Sequence, residues 1–121
     1  MSRIRQSLGQ SGEKKAARYL KKKGFSIIQS NYRTPFGEID IIAKDKDTLC
    51  FIEVKTRSPN TKGLPRQAVN PAKQQKIIHS AAAYLKENDL PDQRCRFDVM
   101  EVIVVEDRWQ ITLIPNAFQA S

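Results

Sequence analysis

Histidine, tryptophan and cysteine are scarce: the 121 residues include one His, one Trp and two Cys. Cys50 and Cys95 stand far apart, which excludes a disulfide scaffold and a Cys-rich zinc module. They read as ordinary buried thiols of a reducing compartment. His79 has no second ligand at metal-binding spacing and reads as a helix-surface residue. No run approaches the ~18 apolar residues of a membrane span. The polar start Met1-Ser2-Arg3-Ile4-Arg5-Gln6 lacks a signal peptide's apolar stretch. Export and membrane insertion are therefore not expected, and a cytoplasmic location is. Neither GxGxxG nor GxxxxGK[ST] occurs, so no glycine-rich phosphate loop is present. Trp109, Tyr19, Tyr32 and Tyr84 form no evident stacking platform and read as core packing. Internal repeats and low-complexity segments are absent too.

Negative charge is also sparse. Against 21 Lys+Arg stand 13 Asp+Glu, a net charge of +8. A small domain with this excess favours a polyanionic partner, nucleic acid above all. The length suits one compact domain, and 40% hydrophobic with 28% charged residues suits a globular one.

Along the chain, residues 1–8 read as a flexible basic tail and 9–121 as a single domain. A helix is expected from residue 7 or 11 to residue 23, with Ala16, Ala17 and Leu20 as its apolar stripe and Gly24 as its stop. Strands follow at 25–33, 38–44 and 49–57. The turn signal Thr34-Pro35-Phe36-Gly37 separates the first two, and the polar turn at 45–48 makes the last two a hairpin. Residues 58–69, with Pro59, Gly63 and Pro65, read as a mobile loop, functional or disordered. Asn70-Pro71 announces a second helix by N-cap and first-turn proline. Its buried stripe is Ile77, Ile78, Ala81, Tyr84 and Leu85. Two more strands are expected at 97–105 and 108–114. The order is α-β-β-β-α-β-β, an α/β fold with a mixed sheet flanked by helices.

The carboxylates that do occur sit in unusual places. Asp40 lies inside the apolar strand Glu38-Ile39-Asp40-Ile41-Ile42. Glu53 and Lys55 lie inside Leu49-Cys50-Phe51-Ile52-Glu53-Val54-Lys55. Side chains alternate faces along a strand, so Phe51, Glu53, Lys55 and Arg57 share one face. A turn at 45–48 pairs Ile42 with Phe51 and sets Asp40 opposite Glu53, beside Lys55. Buried like charges repel and cost several kcal/mol each unless compensated. A divalent cation would compensate them, and hard carboxylate oxygens suit Mg²⁺ or Mn²⁺. Two acids, a cation and an amine can hydrolyse a phosphodiester: the cation polarises the phosphate and acidifies water, and the lysine orients that water. The plainer alternative is a hairpin with a solvated polar end and a weak Glu–Lys pair. Glu13 precedes Ala16, Ala17 and Leu20 on the helix stripe and either joins the acids or merely favours the helix dipole.

Several motifs together resemble a known family. They are Gly12-Glu13, Tyr19-Leu20, Gly24-Phe25, Asn31-Tyr32-Arg33-Thr34, Gly37-Glu38-Ile39-Asp40, Phe51-Ile52-Glu53-Val54-Lys55-Thr56-Arg57 and Arg96-Phe97-Asp98-Val99. In this order they are similar to the bacterial YraN family, small predicted endonucleases akin to archaeal Holliday-junction resolvases. The resemblance spans residues 8–114. It implies a restriction-endonuclease-like fold with a PD-(D/E)xK site. Asp40 would be the first acid, with Ile39 in place of the motif's proline; Glu53 would be the second acid, Lys55 the lysine and Glu13 the helical acid. The Val54 backbone carbonyl would be a further metal ligand, with Glu13 acting through water or on a second ion.

The resulting expectation is an Mg²⁺- or Mn²⁺-dependent endonuclease on DNA, branched or junction DNA included. Arg33, Arg57, Arg66, Lys73 and Lys76, with Lys62, Arg3 and Arg5, would grip phosphates. Gln74 and Gln75 open the second helix beside them. Asp98 reads as structural, paired with Arg96 or another neighbour. Cleavage of a two-fold junction would call for a homodimer. The alternatives are a non-catalytic nucleic-acid-binding module that keeps the fold, and an assembly protein that docks a partner through residues 58–69.

Overall fold

The computed structural model describes residues 2–58 and 69–120. Residues 59–68, which hold Lys62 and Arg66 and most of the expected mobile loop, lie outside the described residues. So do the side chains of residues 2–10, Arg3 and Arg5 among them. Helix α1 (Ser2–Lys22) is followed by β1 (Ser26–Thr34), β2 (Gly37–Asp45) and β3 (Thr48–Arg57). Helix α2 (Pro71–Glu87), β4 (Cys95–Val105) and β5 (Arg108–Phe118) complete the chain. The expected order of elements is thus the observed one.

The five strands form one sheet in the order β1-β2-β3-β4-β5. Neighbours are antiparallel except β3 and β4, which are parallel. Parallel neighbours need a crossover connection, and α2 lies in it. Helix α1 places Ala16 and Leu20 on one sheet face against Ile41, Ala43, Cys50, Ile52, Met100 and Val102. Helix α2 places Ile77, Ala81 and Tyr84 on the other against Ile42, Leu49, Phe51, Phe97 and Val99. The central strands are therefore covered on both faces. That is why β3 reads as the apolar run Leu49-Cys50-Phe51-Ile52 instead of alternating.

Local chemistry sets the helix ends. Asn70 caps α2, its side chain accepting from the Lys73 amide at 2.8 Å, with Pro71 in the first turn. Gly24, at φ 95°, ends α1, and the Phe25 amide donates back to the Leu20 carbonyl at 3.0 Å. The start of α1 differs from expectation. It lies at Ser2, so residues 2–8 are helical and not a loose tail. Nothing in Arg3-Ile4-Arg5-Gln6-Ser7-Leu8 breaks a helix, and neither Ser7 nor Ser11 is needed as a cap. Among the described residues no helix is long and apolar enough to cross a membrane.

Gly12 lets α1 lie close to the sheet. A Cβ there would sit 2.7 Å from Thr56 Oγ1 on β3. Gly12→Ala should gain about 1 kcal/mol of helix propensity but lose about 1–3 kcal/mol to overpacking. The single variant is expected to be less stable than the parent in urea melts. The same change made in a Thr56→Ala background is expected to be neutral or stabilising.

Candidate active site

The β2–β3 hairpin has the expected register. Asp45 pairs with Thr48 across a two-residue turn, and Ile42 pairs with Phe51. The ladder of paired residues stops at Ile41–Ile52. One step further, Asp40 Oδ2 accepts a hydrogen bond from the Val54 amide at 2.8 Å. Strand alternation breaks at the same point. Ile39 packs on the α2 side of the sheet and Ile41 on the α1 side, although they are two residues apart. On β1, Asn31 lies between the pairs Ser30–Ile41 and Tyr32–Ile39 and has φ 55°. Asparagine is among the few residues that adopt this left-handed backbone readily. The two strands turn over together here, and Asp40 sits at the turning point.

Four carboxylates surround that point. Glu13, from α1, feels the charges of Asp40 and Glu38. With its amide nitrogen turned toward the acids, Asn31 donates to Glu13 Oε2 at 3.1 Å and to Glu38 Oε1 at 2.8 Å. Glu53, on β3, has a side chain only 6% exposed. Its Oε1 lies 3.9 Å from Lys55 Nζ and 3.8 Å from Lys73 Nζ. Its Oε2 is buried without a hydrogen-bond partner among the described residues.

The electrostatic consequence is consistent across the group. Burial, then the charges of Asp40 and Glu38, pushes Glu13 up to about 7. Burial, then the Asp40 charge, pushes Glu53 up to about 7 against the pull of Lys73 and Lys55. Asp40 is raised by burial, although the Val54 amide favours its ionised form. Desolvation and like charge act together in each case.

Other buried acids in the sheet show what Glu53 lacks. Asp98, fully buried, receives Arg96 Nε on both oxygens at 3.0 Å and the Asn116 amide at 2.8 Å. Arg96 is one of the partners expected from the sequence. Glu101 takes Arg57 Nη1 at 2.6 Å. Each of these acids has close charge-assisted hydrogen bonds. Glu53 has two longer lysine contacts and an oxygen without a partner among the described residues.

Among the described residues no three His, Cys, Asp or Glu side chains converge as a ready set of metal ligands. Asp40, Glu53 and the backbone of Val54 nevertheless fit a hard cation. In a strand, the N–H and C=O of one residue point to the same edge. The Val54 carbonyl therefore faces β2, as its amide does when it donates to Asp40. Two carboxylates and a carbonyl oxygen are donors suited to Mg²⁺ or Mn²⁺, and the orphaned Glu53 oxygen is the atom such an ion would satisfy.

Of the residues expected at the site, Glu13, Asp40, Glu53 and Lys55 are brought together, and Lys73 joins them from the first turn of α2. Lys76 is exposed on the same helix. Arg33 is 81% exposed, its Nε 3.7 Å from Glu38 Oε2. Gln74 is engaged with the Val69 carbonyl at 2.9 Å, and Gln75 is exposed. Arg57 departs from the expectation. It is a buried partner of Glu101 and not a solvent-facing phosphate grip. Parallel pairing sets Glu101 beside Lys55, diagonal to Arg57, which brings the charges together. The role of Asn31 was missed, and its signal was a lone asparagine inside a strand. The position of Lys73 was signalled by Asn70, which fixes the start of α2.

The sequence profile of the uncharacterised protein family UPF0102 matches residues 12–102, a span holding Glu13, Asp40, Glu53, Lys55 and Lys73. A UPF0102 protein of Desulfosudis oleivorans is 50% identical over 117 residues, covering 97% of this chain and 94% of that one. One from Desulforapulum autotrophicum is 48% identical over 119 residues, 98% of each chain. One from Clostridium acetobutylicum is 46% identical over 121 residues, covering 98% of this chain and 99% of that one.

The raised Glu53 value makes stability depend on pH. Its folded-state value of about 7 lies above the ordinary 4.5, so folding favours the protonated form. The stability this contributes is complete below about 4.5 and is lost as pH rises through about 7. In EDTA at pH 8, Glu53→Gln is expected to be more stable than the parent by roughly 1–2 kcal/mol. The advantage should fade as the pH falls to about 4.5. Mg²⁺ or Mn²⁺ should raise the parent's Tm and leave the variant's unchanged. Thermal melts across pH, with and without metal, measure both effects.

Proposed function

The chain belongs to the uncharacterised protein family UPF0102, and for it we propose a metal-dependent endonuclease-like activity, the hydrolysis of phosphodiester bonds in DNA, branched or junction DNA included. The observation that carries the reading is the buried Glu53 oxygen without a partner among the described residues, next to Asp40 and between two lysines. A structural ion pair would be completed, as those of Asp98 and Glu101 are. The net charge of +8 suits a polyanionic substrate. The resemblance to YraN proteins and their resolvase-like relatives supports the same reading, as does the mixed sheet flanked by helices. Placement in the PD-(D/E)xK superfamily and a cytoplasmic location are parts of this proposal.

Asp40, Glu53 and the Val54 carbonyl would hold Mg²⁺ or Mn²⁺. Such an ion, when bound, polarises a phosphate oxygen and makes a water more acidic. Lys55 orients the attacking water and steadies charge as the phosphorane-like transition state forms. Glu13, with a value near neutrality, can accept that water's proton at one of its oxygens. Asn31 fixes Glu13 and Glu38 so that their carboxylates keep one orientation. Lys73 sits where an incoming phosphate would meet it.

Purified protein should cleave junction, flap or linear DNA in Mg²⁺ or Mn²⁺ and not in EDTA. Asp40→Ala and Lys55→Ala should each lose at least roughly 100-fold in rate while keeping their fold. Equal rates for parent and variants would refute the assignment. Salt-sensitive DNA binding with no cleavage under any metal would instead make the chain a binding module.

A further inference from the structure

Phe36 is one of two large apolar side chains exposed in the described fold, at 51%. It stands at the tip of the β1–β2 hairpin, a place where a bulky ring is costly to solubility and does nothing for the core. The tip that carries it is rigid. Thr34 Oγ1 accepts the amides of Phe36 and Gly37 at 3.0 and 3.2 Å. The same oxygen lies 2.8 Å from Ser80 Oγ on α2. The Phe36 ring rests on His79, with centroids 5.3 Å apart and planes at 60°. The hairpin thus seats its aromatic tip on α2, leaving the outer ring face to solvent.

The α2 flank beside this ring is cationic: Lys76 is exposed next to Gly37, where an added Cβ would lie 3.6 Å from Lys76 Cβ. Lys73, Lys76 and His79 are spaced three residues apart, so they share one flank of α2. At 1.5 Å per residue that flank runs about 9 Å from Lys73 to His79. Its near end is Lys73, 3.8 Å from Glu53 Oε1. Its far end is the Phe36–His79 pair. An exposed aromatic ring beside cations spaced along a helix flank is what binds an unpaired strand: rings stack bases and cations hold phosphates.

We infer that Phe36, backed by His79, is a stacking platform for an unpaired nucleobase, with Lys76 gripping the adjoining phosphate. The inference rests on the nucleic-acid reading of the acid site and adds a preference to it. Duplex DNA keeps its bases stacked inside, so the platform selects single-stranded overhangs, flaps and branch points. It holds the unpaired strand a short distance from Glu53.

Binding measured in EDTA separates this inference from catalysis. The probes are a short fluorescein-labelled single-stranded DNA and a blunt duplex of the same length. Stacking is worth about 1–3 kcal/mol per base. Phe36→Ala and Phe36→Leu should therefore weaken single-strand binding roughly 5- to 100-fold and leave blunt-duplex binding unchanged. The parent has a single tryptophan, Trp109. Phe36→Trp should add an emission component that single-stranded DNA quenches and blunt duplex does not. Unchanged affinity in both truncations, or equal losses for both probes, overturns the platform and leaves the cleavage assay unaffected. A Phe36→Ala variant that changes from dimer to monomer in sedimentation, with single-strand binding retained, overturns it in favour of self-association. Retained stacking in a protein that never cleaves would sink the catalytic proposal alone.

Discussion

Like charges held out of water are the constraint around which this structure is built. Asp40 and Glu53 are drawn together by two strands whose register is fixed by a two-residue turn and by the apolar pairs beneath it. The sheet cannot relieve their repulsion by slipping, because a one-residue slip would drive Ile42, Phe51 and their neighbours to the wrong face. Glu53 itself has little access to water, its side chain being only 6% exposed. The remaining routes are to take up protons, to borrow lysines at a distance, or to bind a cation. Burial and like charge push Glu13 and Glu53 toward the first, and the long contacts of Lys55 and Lys73 supply the second.

Comparison with the other buried acids sharpens the point. Asp98 and Glu101 lie one strand away, on β4, equally removed from solvent. Each received an arginine, whose planar fork satisfies carboxylate lone pairs at close range. The Glu53 position received lysines, compact charges on mobile stems that can swing aside. A guanidinium locked onto Glu53 would satisfy both of its oxygens for good, whereas a pair of lysines at longer range leaves Oε2 free to take a further partner.

Much of this was readable in the residues, and the limits have physical causes. The Ile42–Phe51 register followed from strand period and turn length, but the ladder ends at Ile41–Ile52, and the expected facing pair of Asp40 with Glu53 is replaced by a hydrogen bond from the Val54 amide to Asp40 where alternation breaks. The cap at Asn70 and the stop at Gly24 were local signals with local consequences. What escaped depended on tertiary context. Asn31 looked like an ordinary strand residue because its left-handed backbone is imposed by the kink shared with Asp40. Arg57 looked like a surface cation because its partner Glu101 comes from a strand forty-odd residues later. The N-terminal residues looked like a tail because their basic composition outweighed the absence of any helix breaker. Phe36 was read only as part of a turn, since exposure of a ring is invisible until the hairpin has a place to rest.

The Arg57–Glu101 pair also has a mechanical meaning. It fastens the last residue of β3 to the middle of β4, two positions beyond Lys55. Anything that tugs on the chain downstream of residue 58 pulls against this rivet before it reaches the lysine. The acid-bearing end of β3 is thereby insulated, and the chain beyond it can vary without shifting Glu53 or Lys55.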